Sequence, residues 1–140
     1  MTTLTRRYKF ASSHRLHSPR LSEAENADLY GKCNNPWGHG HDYVLEVTVS
    51  GNVNADTGRV LSPARLDSYV RGNVLDAFDH RDMNRDIPAF GADCVPTAEN
   101  IAIVIRDMLQ RDWRTTFDGA VLHAVRIQET RRNSVQLREE

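Results

Sequence analysis

Two stretches of this chain alternate with a period of two, and they leave little freedom in what it can fold into. Between residues 41 and 50, His41, Tyr43, Leu45, Val47 and Val49 fall on one face, and Val44, Glu46, Thr48 and Ser50 on the other. Over Leu4–Leu16, Tyr8, Phe10, Ser12 and His14 share a face. Side chains two apart on a strand point the same way. Each stretch is therefore a strand with an apolar face that something must cover.

Two segments of helical period supply the cover. Ser62–Pro63 gives a serine N-cap and a proline at the first helical position. The stripe Leu66, Val70, Val74 and Ala77 or Phe78 follows. Thr97 caps a second helix, whose stripe is Ile101, Val104 or Ile105, and Met108. Val121–Glu129 reads as a third strand, with Val121, His123, Val125, Ile127 and Glu129 on one face. Ser134–Arg138 is a fourth, after a turn at Arg131–Asn133. His17–Tyr30 is a polar excursion with room for a helical turn, and residues 80–96 read as a loop. The order is ββααββ, an α+β domain. A length of 140 residues suits a single domain over 1–140.

Charge excludes some partners. A net charge of −1 offers no general polyanion-binding surface, so no nucleic-acid partner is expected. Two cysteines, Cys33 and Cys94, do not make a disulfide framework. The start, MTTLTRRYKF, lacks a signal-peptide core, and no apolar run reaches membrane-spanning length. The expectation is a cytoplasmic protein with reduced thiols and no membrane partner.

The chemistry concentrates in GKCNNPWGHGHDY, Gly31–Tyr43. His39 and His41 lie on one strand face, and His14 ends the apolar face of the first strand. If the two strands pair antiparallel, three imidazoles converge. Three neutral histidines with an open fourth position describe a catalytic zinc site; the alternative is a His-rich turn with solvated rings. Cys33 sits in loop chemistry, where Lys32 could favour its thiolate, although a lone cysteine can also be a small buried hydrophobe. Asp79–His80 ends the first helix and can form a proton network, or simply place a histidine at a helix C-terminus. Glu129 ends an apolar face and needs a partner, such as strand-end amides or a ligand with two adjacent N–H donors. Glu99 lies in the first turn after Thr97, where a negative charge is favoured in any case.

With these pieces placed, the chain resembles the 6-pyruvoyltetrahydropterin synthase family over about residues 6 to 138. The markers are FASSHRL (Phe10–Leu16), LYGKCNNPWGHGHDY (Leu29–Tyr43), FDHRDMNRDIPAF (Phe78–Phe90), PTAENIA (Pro96–Ala102) and QETRRN (Gln128–Asn133). The resemblance implies a T-fold: a four-stranded antiparallel sheet with two helices on one face. It implies a homohexamer, a dimer of trimers, with active sites between subunits. It makes His14, His39 and His41 the Zn2+ ligands and Cys33 the general base. Asp79 and His80 become the relay pair, contributed by a neighbouring subunit. Glu129 becomes the anchor of the pterin's amino-pyrimidine edge, and Thr97 and Glu99 part of the substrate pocket. The implied reaction converts 7,8-dihydroneopterin triphosphate to 6-pyruvoyltetrahydropterin and triphosphate, as in tetrahydrobiopterin-type pterin biosynthesis. Arg15, Lys32 and the loop arginines are candidates for holding the triphosphate, and the sequence does not choose among them.

The closest alternative is 6-carboxytetrahydropterin synthase of the queuosine pathway, whose motif typically has three residues between the cysteine and HGH. Here five intervene, Asn34 to Gly38, a spacing that looks like the pyruvoyl type. A folate-branch cousin uses a glutamate between cysteine and HGH, and none stands here. Trp37 and Ala98 depart from the animal pattern of Asn and Thr, and Trp37 adds bulk near the zinc loop. A non-catalytic, zinc-stabilised assembly module would need the metal but not Cys33, Asp79–His80 and Glu129 together. A zinc hydrolase lacks a separate carboxylate base beside HGH.

Overall fold

The computed structural model describes residues 1–91 and 93–139. Strands β1 (Thr2–His14) and β2 (His39–Gly51) pair antiparallel along their whole length, from Thr2↔Gly51 to His14↔His39. β4 (Ala120–Thr130) pairs with β2, and β5 (Asn133–Arg138) with β4, both antiparallel. These are the four expected strands.

A fifth strand extends the sheet. Arg81–Asp82 (β3) runs parallel to β1 at Ser12 and Ser13, so the sheet is mixed, in the order β3-β1-β2-β4-β5. This stretch was expected as loop, because two residues carry no readable period. Polar bonds hold it there: Ser12 Oγ donates to the Arg81 carbonyl at 2.8 Å, and the His80 N–H donates to the Ala11 carbonyl at 2.6 Å.

Helix α1 (Glu23–Tyr30) occupies the polar excursion, closed by a capping box between Ser22 and Glu25. Buried Asn26 ties its start by donating to the carbonyls of Ser18, Leu21 and Ser22. Helix α2 (Pro63–Val70) starts at Ser62 as expected and runs through a wide π-type turn (Arg71–Leu75) into α3 (Asp76–Phe78). The short α4 (Met83–Asp86) follows β3. Helix α5 (Ala98–Gln110) starts at Thr97, whose hydroxyl accepts from the Asn100 N–H, and a turn of helix, α6 (Trp113–Thr116), leads into β4.

The core lies between one sheet face and the helices. Tyr43, Leu45, Val47 and Val49 are fully buried with Phe10, Val125 and Ile127, against Leu66, Val70, Val74, Phe78, Ile101, Ile105 and Leu109. Burying each such aliphatic or aromatic side chain is worth about 1.5–3 kcal/mol. Phe78 rather than Ala77 completes the first stripe, and Leu109 rather than Met108 the second. Asp67 of α2 ties the helix to β1, accepting from Arg6 Nε and Nη2 at 3.1 and 2.6 Å and from the Tyr8 hydroxyl at 2.7 Å.

The face assignment on β4 needs correction. Its register to β2 shifts between Thr48↔Ala124 and Val49↔Leu122, leaving His123 as an extra residue. The bulge reverses the parity before it. Leu122 is buried and Val121 half exposed, whereas Val125, Ile127 and Glu129 keep the expected face.

Candidate metal and substrate site

The β1–β2 register brings the three histidines together. His14 lies opposite His39, and Ser12 opposite His41. Because β1 and β2 both direct these positions toward the helices, the rings stack at the end of the core, just beyond Tyr43. The rings meet edge to face, with centroids 4.7 Å apart for His14–His39, 5.3 Å for His14–His41 and 4.7 Å for His39–His41.

Hydrogen bonding fixes what they offer. His14 Nδ1 donates to the Pro96 carbonyl at 2.8 Å, which leaves its Nε2 lone pair free. That atom stands 3.2 Å from His39 Nε2. Two nitrogen ligands on a tetrahedral zinc stand about 3.3 Å apart. Among the described residues His39 Nδ1 and His41 Nε2 are buried without a hydrogen-bond partner, and buried polar atoms are seldom left so. One ligand atom from each histidine falls within a 4.8 Å cluster. The donor set therefore fits a divalent metal of the zinc type.

Burial holds His14 neutral. Its pKa is pushed down to about 4, first by burial and then by His39 and His41, against the pull of the Pro96 carbonyl. The unfolded ring titrates at 6.5. Between these values the unfolded chain takes up a proton that the folded chain refuses. Stability of the metal-free protein is thus full above pH 6.5 and falls as pH drops toward 4, by about 3 kcal/mol in all. Denaturant unfolding of chelated protein at stepped pH, with NMR of the His14 ring, checks this; a ring titrating near 6.5 in the folded state would defeat it.

Glu129 reaches the same cluster. Its Oε2 lies 3.9 Å from His14 Nε2, buried and, among the described residues, without a hydrogen-bond partner. It is also the charge that most raises the Cys33 thiol after burial itself. The expected help from Lys32 does not appear: Cys33 in a lone subunit is held as the thiol. Cys33 lies on a tight turn over Gly31–Asn34. That turn is laced to the end of β1, where the Leu16 N–H donates to the Cys33 carbonyl at 2.9 Å and Asn34 Nδ2 to the Leu16 carbonyl at 2.8 Å. Gly38 lets the loop close onto β1. Its φ is +75°, and a Cβ there would sit 3.0 Å from the His14 carbonyl oxygen.

Among the described residues the other expected residues make no hydrogen bond or ion pair to this cluster. Asp79 accepts from the Ala11 N–H at 2.9 Å, which holds its carboxyl below the usual range, and pairs with His80 Nδ1 at 3.1 Å. His80 is 82% exposed with φ +61° and lines a cavity of about 580 Å3 that His41 also borders. Among the described residues no bond joins this pair to Cys33 of the same subunit. Thr97 serves as the α5 cap, and Glu99 is exposed. The residue that sequence reasoning missed is Pro96, whose carbonyl orients His14 across 82 positions; no local signal announces a backbone acceptor so distant in the chain.

The family model for 6-pyruvoyl tetrahydropterin synthase matches residues 3–140. The 6-pyruvoyl tetrahydrobiopterin synthase of Homo sapiens is 43% identical over 132 residues, which cover 94% of this chain and 88% of that one. The chain belongs to the 6-pyruvoyl tetrahydropterin synthase family. That membership makes it an enzyme of the lyase class. The synthase of Poecilia reticulata is 41% identical over 137 residues, 98% of this chain and 90% of that one. In structure, Caenorhabditis elegans 6-pyruvoyl tetrahydropterin synthase superposes with a TM-score of 0.88 at 38% identity, covering 99% of this chain and 96% of the other. The mixed five-stranded sheet with helices on one face is accordingly the T-fold of this family.

Proposed function

We infer that this lyase converts 7,8-dihydroneopterin triphosphate to 6-pyruvoyltetrahydropterin with release of triphosphate, using zinc held by His14, His39 and His41. The observation that carries the reading is the buried Oε2 of Glu129, without a hydrogen-bond partner among the described residues, beside three convergent imidazoles. A buried carboxylate oxygen without a donor is costly, and a substrate with two adjacent N–H groups would satisfy it.

Glu129 accepts the amino-pyrimidine edge and so fixes the pterin against the histidine cluster. Bound metal would act as a Lewis acid on the hydroxylated side chain and acidify its C–H bonds. Cys33, as thiolate, takes the proton from the carbon next to the phosphorylated one. The electron pair left behind expels the triphosphate oxygen, and the resulting enol becomes a methyl ketone. The remaining carbinol then gives up its C–H proton and its hydroxyl proton, and the ring C=N bond takes up both. The ring is thereby reduced as the side chain is oxidised, and no external oxidant is needed. Tyr43, kept neutral by burial and by Glu129, closes the floor of the site.

Asp79 and His80 act from a neighbouring subunit in this reading, within a hexamer built as a dimer of trimers. Their separation from Cys33 in one subunit, and the exposure of His80, support that placement. Thr97 and Glu99 serve through the backbone at the α5 start, which also carries the Pro96 carbonyl.

Mass spectrometry of the products from 7,8-dihydroneopterin triphosphate, with and without chelator, tests the proposal. The expected outcome is a pyruvoyl product plus triphosphate, lost on chelation. A carboxy product with acetaldehyde would move the enzyme to 6-carboxytetrahydropterin synthesis. A chelator-insensitive reaction would remove zinc from the mechanism.

A further inference from the structure

Two cavities flank the histidine cluster, and their charges differ. The larger one, bordered by His41 and His80, carries Asp42, Asp82 and Asp86 against a single arginine, Arg81. The other, about 460 Å3, is lined by Arg15, His17 and Arg85 on one side and by Pro19, Pro36 and Trp37 on the other. Such a volume is in the range of small-ligand sites. Arg15 follows His14 directly, and Gly38, also on its wall, precedes His39.

The cationic groups of this second cavity are uncommitted. Among the described residues neither Arg15 nor Arg85 makes an ion pair. Arg15 uses only Nε, on the Asn34 carbonyl at 3.1 Å, and its main chain is clamped both ways by the Asn84 amide, at 2.8 and 3.0 Å. Among the described residues the terminal nitrogens of that guanidinium have no hydrogen-bond partner. Asn34 Nδ2 contacts His17 Nδ1 at 3.0 Å, so the ring carries its proton on Nε2 as a donor. The one carboxylate on the wall, Asp82, is turned to the main chain, where its Oδ1 accepts from the N–H groups of Asn84 and Arg85.

We propose that this cavity, through the Arg15 and Arg85 guanidiniums and the His17 Nε2–H, holds the triphosphate chain of the substrate and releases it as the leaving group. The assignment deepens the synthase reading and rests on it for the identity of the substrate. Forked guanidiniums match phosphate oxygens in charge and geometry. The first cavity, with Asp42 and Asp86 in addition to the shared Asp82, repels them. Trp37, 92% exposed, walls the outer side with the two prolines.

The test is calorimetric titration of the intact, metal-loaded protein with inorganic tripolyphosphate. Arg85→Gln and Arg15→Gln are compared with the charge-matched control Arg81→Gln at equal metal content. The wild type and the Arg81 variant are expected to bind alike, and the Arg85 and Arg15 variants at least about tenfold more weakly. In turnover, KM for the triphosphate substrate should rise in those two variants, while affinity for the unphosphorylated dihydropterin stays constant. Should Arg15→Gln melt early, Arg85→Gln alone decides, since its side chain bonds no other element. Equal weakening in the Arg81 variant, or none in the Arg85 variant, overturns the assignment. Binding is read without catalysis, so a failure of the synthase reading shows separately, as absent product beside intact tripolyphosphate binding.

Discussion

Cys33→Ala is expected to lower kcat by about 10²- to 10⁴-fold, the range lost with a general base. Metal content, melting temperature and pterin affinity should stay near those of the wild type. The structure says why the effect separates so cleanly. The turn bearing Cys33 is held by its own main-chain carbonyl on Leu16 and by Asn34, not by the sulfur. The thiol is only partly buried, so alanine leaves little void. On the proposed roles, Glu129 is taken up by the pterin and the histidines by metal, which leaves Cys33 as the base. Rapid-mixing turnover with quantified triphosphate is the measurement. A variant within tenfold of the wild type would show that another group removes the proton.

His41→Ala and His39→Ala should act through the metal. Outer-shell changes at zinc sites cost about 10–100-fold in affinity, and loss of a direct ligand should exceed that. Each variant should lose metal at chelator concentrations the wild type withstands, and activity should fall to background. His14→Ala is a poorer probe, because His14 is fully buried and bonded to Pro96, so a loss of stability would accompany the loss of ligand. His39 and His41 are only partly buried, so truncating them costs less packing. Metal analysis after dialysis decides; stoichiometric metal retained in both variants would dissociate the cluster from metal binding.

Features that repeat along the chain were legible in the sequence. The alternation of β1 and β2 placed His14, His39 and His41 on one face, and the pairing delivers them opposite one another. Ser62 and Thr97 announced their helices because capping is local chemistry. Features set by one residue or by distant contacts were not legible. The bulge at His123 reverses a face without leaving a mark in the hydrophobic pattern. β3 forms because Asp79, His80 and Arg81 find β1 through hydrogen bonds spanning some seventy positions. The raised Cys33 thiol follows from burial near Glu129, a proximity that a neighbouring lysine in the sequence obscured.

The long, bulge-free β1–β2 ladder carries a problem that hydrophobicity cannot solve. A slip of one residue turns every apolar side chain to water and is forbidden. A slip of two keeps every side chain on its proper face. It displaces the strands by only about 6.6 Å, and most of the apolar contacts can re-form. The histidines cannot tolerate it, since His14 would then face His41 and leave His39 beyond the strand end. A metal captured by the three histidines would work as a vernier on the hairpin, adding its binding free energy to one alignment among several of equal oiliness. On the proposed function, the three side chains that serve the chemistry would also proofread the folding.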